Sequence, residues 1–412
     1  MNGPDFEYPM ALEPHIEMDE PHAPIIIYSG EYSLQSGERI VNLNGTIQYS
    51  WSQQCRIIFE GTCSYPLGLA EKGDIYIHNH KCAEGYITRQ SFSSSEPASL
   101  RGTISELTFG DSTEMCDKVC FALINLDSFF GEILQRENKY TRDRLTFNKG
   151  GYSIIIENRE NLKNVASKFG KVQGGYYISH YCQITKQYGQ ISLKEADEIL
   201  TGFAMYFSFV FGKRYMPFFI YGYKDNKRIC EYHSAERLPS EKGAFCWVPT
   251  FGLDEIKLLW NNFYDLWQHD KDHRDILTTA IHWYIEANTN SGALEGAYIM
   301  AFAGIELMYN VLIGKKIKGS TEKINTLTRL LNIDATINAK ELCDMRNVLV
   351  HYGQQNRAIY SEISNQEKFN RLTRVIYILE LSIMKYLDYQ GHYVNRLNNE
   401  KRQEVEVVPY HN

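Results

Sequence analysis

A chain of 412 residues, 43% hydrophobic and 23% charged, is long enough for two or three domains and has the balance of an ordinary soluble globular protein. A formal net charge of −7 excludes binding of nucleic acid by bulk charge, so any RNA contact must be local, in a small basic patch or a shaped cleft. The first twenty residues carry acidic residues and prolines rather than an apolar core, and no run of about 18 apolar residues occurs; no secretory signal and no membrane span are expected, and the expected location is cytoplasmic.

Residues 1–24 read as a loose lead-in, because prolines at 4, 9, 14, 21 and 24 forbid a continuous helix. Residues 25–190 have β texture. Arg39–Leu43 and Thr46–Tyr49 flank Asn44-Gly45, a strong hairpin signal, and short apolar runs follow at Arg56–Phe59, Asp74–Ile77, Glu84–Ile87, Ser105–Leu107, Val119–Leu123, Tyr152–Ile156 and Tyr176–Ser179. Many short strands at regular spacing predict a sandwich or partly closed barrel. Residues 191–250 hold a helix opened by a Ser192/Glu195 capping box, then a hairpin across Asp225-Asn226 that either bridges or adds strands. Residues 251–395 are helical throughout, and 396–412 read as a polar, mobile tail. The fold class is therefore α+β multidomain, a β-rich sandwich or barrel followed by an all-α bundle.

Most polar clusters have bland explanations. His78-Asn79-His80-Lys81-Cys82 would put residues 78 and 80 on one strand face, but no second ligand pair follows at zinc spacing, so no metal is expected. The nine scattered cysteines are expected to be reduced. Asn44-Gly45-Thr46 reads as a turn. Arg228 and His233 repeat an Arg-x4-His spacing inside a hairpin, where strand alternation makes it a chance occurrence. The basic stretch Lys315, Lys316 and Lys318 is a solvated loop by charge pattern alone, yet it is the best local candidate for phosphate contact in an acidic chain.

The informative segment is Leu342–Gly353. On a helix, Leu342, Met345, Leu349 and Tyr352 form an apolar stripe, and Asn347 and His351, four apart, share a side. Arg346 and His351 are separated by about 140° of helix rotation, so Arg346 must swing or a second copy of the helix must come alongside. The residue types suit RNA cleavage without a metal. Histidine can take the 2′-hydroxyl proton or protonate the leaving 5′-oxygen, and a guanidinium fork can hold the charge on the phosphate.

This segment resembles the HEPN family, and more narrowly the HEPN domain of ApeA-type anti-phage proteins. The resemblance covers roughly residues 255–390. It rests on Arg346-Asn347-x3-His351, on the aromatic helix Ala280–Tyr284, and on Tyr298–Leu307 with its Ile305-Glu306-Leu307. The resemblance implies a cofactor-free RNase, with Arg346, Asn347 and His351 catalytic and the site shared across a homodimer that can build to a tetramer. Glu306 would support the cluster, though a salt bridge between helices explains it as well. The implied substrate is RNA with exposed loops, tRNA among them, and the implied trigger is a phage-encoded protein sensed through the β-rich region. The competing expectation is a non-catalytic binding protein in which the helical domain only dimerises.

Overall fold

Inward alternation of Tyr32, Leu34, Leu43, Ile47, Ile57, Phe59, Ile75, Leu100 and Ile104 rolls the first six strands into a closed ring. These strands are β1 (Ile25–Ser36), β2 (Arg39–Ser50), β3 (Arg56–Cys63), β4 (Lys72–Ile77), β5 (His80–Ser91) and β6 (Ala98–Phe109). All pair antiparallel in the order β1-β2-β3-β6-β5-β4 and back to β1. The chain turns at Gly37, in the left-handed region at φ 62°, and Asn44-Gly45 lies inside the continuous β2. The expected hairpin at 44–45 is thus corrected. Gly45 serves a close approach instead, since a Cβ there would stand 2.0 Å from the Glu60 carbonyl oxygen of β3.

The structure, a computed structural model, describes residues 8–18, 20–51, 55–64, 71–92, 97–137, 139–169, 175–235, 244–249, 253–289, 293–351, 360–398 and 405–410. The chain divides into two units, Met1–Thr201 with Tyr215–Glu241, and Gly202–Arg214 with Lys242–Asn412. No helix among the described residues is long and apolar enough to cross a membrane.

In the first unit, the ring continues into an open sheet through β6, whose end (Glu106–Phe109) pairs with β15 (Lys227–Ser234). Beyond lie β14 (Phe218–Lys224), β8 (Lys118–Ile124), β12 (Ile178–Lys186), β11 (Tyr152–Asn158), β10 (Lys139–Lys149) and β9 (Glu132–Arg136). The hairpin across Asp225-Asn226, both left-handed at φ 49° and 59°, is therefore central to this sheet. A short pair, β7 (Met115–Cys116) with β13 (Ile191–Ser192), precedes α2 (Leu193–Phe211), where the Ser192 Oγ accepts from the Glu195 amide at 3.1 Å. Helix α1 (Leu162–Phe169) completes the unit.

The lead-in is packed rather than loose where it is described. Met10 bridges to Gln135, the Leu12 amide donates to Glu157 at 2.8 Å, and the His15 ring lies edge-on to Tyr181 and Tyr221. Glu157 also receives the buried Arg144 guanidinium, whose Nη2 donates to the Met10 carbonyl at 2.6 Å. The extended backbone that proline favours leaves peptide groups free to bond to the sheet.

His180 in β12 makes this unit acid-sensitive. Its Nε2 is 2.7 Å from Asn158 Oδ1, its ring stacks on Phe129, and Nδ1 has no partner among the described residues. Complete burial pulls its pKa down from 6.5 to about 3. The ring is neutral when folded and protonates near pH 6.5 when unfolded. Its contribution is therefore full above that value and is lost as pH falls toward 3. His180 alone should cost about 2 kcal/mol of stability at pH 5. Urea unfolding at pH 7.5, 6 and 5 checks this, and a stability unchanged over that range would refute it.

The second unit contains the end of α2 from Gly202, α3 (Leu253–His269), α4 (Lys271–Asn288), α5 (Ala293–Leu312), α6 (Ser320–Leu330), a 3-10 turn (Asp334–Thr336), α7 (Ala339–His351) and α8 (Asn365–Tyr386). Helix α5 packs on α4, α8, α6 and α7. The tail expected over 396–412 instead contributes β17 (Val405–Val407), which pairs with β16 (His392–Val394) and is followed by buried Val408 and Tyr410. Alternation in Val405–Val408 was short and charged, which hid it. Arg396 enters the core to pair with Glu380 of α8, alongside Tyr284 and Asn288 of α4. The β-rich sheet with its closed ring and the mostly helical second part are the architecture expected from the sequence.

Candidate functional site

Helix α7 is oriented by its apolar side. Leu342, Cys343 and Met345 are buried, and Leu349 is half-buried. The Tyr298 hydroxyl of α5 donates to the Leu342 carbonyl at 2.9 Å, and Arg371 of α8 pairs with Glu341 at 2.6 Å, so the start of α7 is held from two sides. One turn on, Arg346 and Asn347 are both half-buried, and Arg346 Nη1 donates to Asn347 Oδ1 at 3.3 Å. His351 is the last residue of α7; its side chain, and residues 352–359 with the expected Tyr352 and Gly353, lie outside the described residues.

Three helices converge on Cys343. Burial pushes its thiol pKa up; Thr321, in the first turn of α6, hydrogen-bonds to it, and both Arg346 and Glu306 of α5 act on it electrostatically. Glu306 is half-buried. The structure thus brings Arg346 and Asn347 together, with Glu306 of α5 and Arg346 both acting on the Cys343 thiol. Lys315, Lys316 and Lys318 are exposed in the loop between α5 and α6, anchored where the Tyr309 hydroxyl donates to the Lys315 carbonyl at 2.8 Å. That loop ends at the first turn of α6, where Thr321 meets Cys343. Arg346 and Asn347 can offer a phosphate a planar cation beside an amide.

In the His78–Cys82 stretch the expected shared strand face is corrected. His78 and Asn79 form the β4–β5 turn at φ 51° and 65°, so residues 78 and 80 do not share a strand face, and the Cys82 thiol donates inward to the Ile75 carbonyl at 3.2 Å.

Three features were not found by the sequence reading. A cavity of about 870 Å³ beside the strand ring is lined by Tyr28, Tyr32, Asn42, Asn44, Thr62 and His78. A second, of about 880 Å³, lies in the helical unit among Asn332, Gln366, Asn370, Arg374, Asn395 and Glu406. Such linings combine residues far apart in sequence and leave no local pattern. The third is a cluster of His269, Asp270 and His273, whose ligand atoms lie within 4.8 Å of one another. Its His-x3-His spacing was visible but straddles a break between helices.

Comparison with known proteins adds three findings. No solved structure matches this chain. Residues 111–243 match the model of the YopA central domain, and residues 313–407, which include α7 and the basic loop from Lys315, match that of the YopA C-terminal domain. Over 94% of its length the chain is similar, at 20% identity, to the SPbeta prophage-derived uncharacterized protein YopA of Bacillus subtilis (strain 168), 95% of which is covered.

Proposed function

We propose that this protein is a metal-independent endoribonuclease of the HEPN kind, an effector of anti-phage defence controlled by its β-rich N-terminal region. The observation that carries the reading is the Arg346–Asn347 pair, half-buried and hydrogen-bonded on α7. Arg346 would grip the scissile phosphate, Asn347 would orient the guanidinium or the phosphate, and His351 would transfer the protons. The exposed Lys315, Lys316 and Lys318 would supply the local positive charge that the acidic chain otherwise lacks.

A homodimer through the helical unit would bring two motifs into one cleft, which the helix rotation between Arg346 and His351 calls for. Ile299, Val350 and Phe369, each more than two-fifths exposed on α5, α7 and α8, supply apolar surface for such a contact. The relative from Bacillus subtilis is described as prophage-derived, and an RNase carried by a prophage suits defence against a competing phage. The cavity beside the strand ring supports a second reading, a binding protein whose helical unit only dimerises.

The test is incubation of the whole protein with a synthetic hairpin RNA in EDTA, alone and with lysate of phage-infected cells. Cleavage should persist in chelator and leave 2′,3′-cyclic phosphate and 5′-hydroxyl ends. Activity that disappears with EDTA and returns with magnesium rules the mechanism out, and no cleavage under either condition favours the second reading.

A further inference from the structure

The junction of α3 and α4 brings two imidazoles onto one carboxylate. His269 ends α3, Asp270 is the N-cap of α4, and His273 stands in the first turn of α4. Asp270 Oδ1 accepts from the His273 amide at 2.8 Å and lies 2.7 Å from His273 Nδ1, while Oδ2 lies 2.8 Å from His269 Nδ1. The two ring centroids are 4.9 Å apart.

We propose that His269, Asp270 and His273 form a binding site for one divalent transition-metal ion of the zinc class. Two neutral imidazole nitrogens and one carboxylate oxygen are a borderline-soft donor set, which selects Zn²⁺ or Ni²⁺ over the oxygen-seeking Mg²⁺ and Ca²⁺. In the metal-free junction a ring proton lies between each Nδ1 and the carboxylate. Binding moves each proton to the Nε2 of its own ring, and the freed Nδ1 lone pairs turn to the metal, so no net proton is released from neutral rings. Metal–ligand bonds of about 2.0–2.2 Å require the nitrogen–oxygen separations to open only slightly, within reach of side-chain rotation.

The scaffold is already fixed. The Asp270 carboxylate is held by capping α4, Arg274 Nε donates to the Trp267 carbonyl across the junction at 2.5 Å, and Tyr386 of α8 stacks on the His273 ring. The His269 side chain is 68% exposed, so remaining coordination positions face water. The site would lock α3 to α4 and is separate in sequence and chemistry from the proposed Arg346 cluster. It stands whether or not that cluster cleaves RNA.

Isothermal titration of the whole, chelator-stripped protein with ZnCl₂, NiCl₂ and MgCl₂ tests the assignment. One Zn²⁺ per chain should bind with a Kd below about 10 µM, with no magnesium heat. The His269→Gln/His273→Gln variant should lose that event, and Asp270→Asn, which retains a capping side chain, should weaken it at least about tenfold. Cobalt substitution should give a visible d–d spectrum that the double variant lacks. Absence of a stoichiometric zinc event in the wild type, or equally tight zinc binding by a folded double variant, overturns the site and leaves the triad a hydrogen-bonded helix cap.

Discussion

Replacing His351 with Ala should slow RNA cleavage about 10²- to 10⁴-fold and leave the fold unchanged. Position 351 closes α7, off the stripe of Leu342, Met345 and Leu349 that holds the helix to the core. On the proposed mechanism its loss removes the proton-transfer group. Arg346→Lys should be similarly impaired, because an ammonium cannot present two parallel donors to a phosphate. Single-turnover rates on the hairpin RNA, with thermal unfolding of each variant, separate the chemical loss from a folding defect. A fully active His351→Ala protein, free of contaminating nuclease, would remove histidine from the mechanism.

Arg396→Leu should destabilise the helical unit by about 3–5 kcal/mol. Arg396 and Glu380 are both buried and form an ion pair. Its Oε2 accepts from the Tyr284 hydroxyl at 2.7 Å, and Arg396 Nη1 donates to Asn288 Oδ1 at 3.1 Å. Asn288 in turn donates to the Gly212 and Phe245 carbonyls, and the guanidinium lies 4.4 Å from the Phe245 ring centroid. Removing the arginine strands Glu380, whereas Arg396→Leu with Glu380→Leu removes both charges and should recover much of the loss. Urea unfolding of the single and double variants measures the difference. Equal destabilisation in both would show that packing, not the orphaned charge, dominates.

Local signals carried the reading of the fold where the chemistry itself was local. The Asp225-Asn226 turn and the Ser192/Glu195 cap are bonded within a few residues, and both are present. Asn44-Gly45 misled because glycine serves close strand approach as readily as a turn, and only the position of β3 distinguishes them. Strand β10 escaped notice because Arg142, Asp143 and Arg144 break the apolar alternation, yet Arg144 is buried against Glu157, 13 residues away. In the helical unit, the neighbourhood of Arg346 and Asn347 was legible from one helix. The influence of Glu306 and Thr321 on Cys343 depends on how α5 and α6 pack, which no single helix records.

The shared strand β6 imposes an order of events on the ribosome. All six ring strands exist once Phe109 is made, and Leu107 pairs with Ala83 of β5 on one side, but the other edge of Glu106–Phe109 is covered by Glu231–Ser234 of β15. At synthesis rates of about 5–20 residues per second, the intervening stretch takes on the order of ten seconds to make. For that interval a nascent chain with a finished ring would carry an open strand edge holding Leu107 and Phe109, guarded by the single charge of Glu106. Neighbouring chains on one polysome would meet through that edge, which makes it the point where crowded expression should turn this protein toward aggregation.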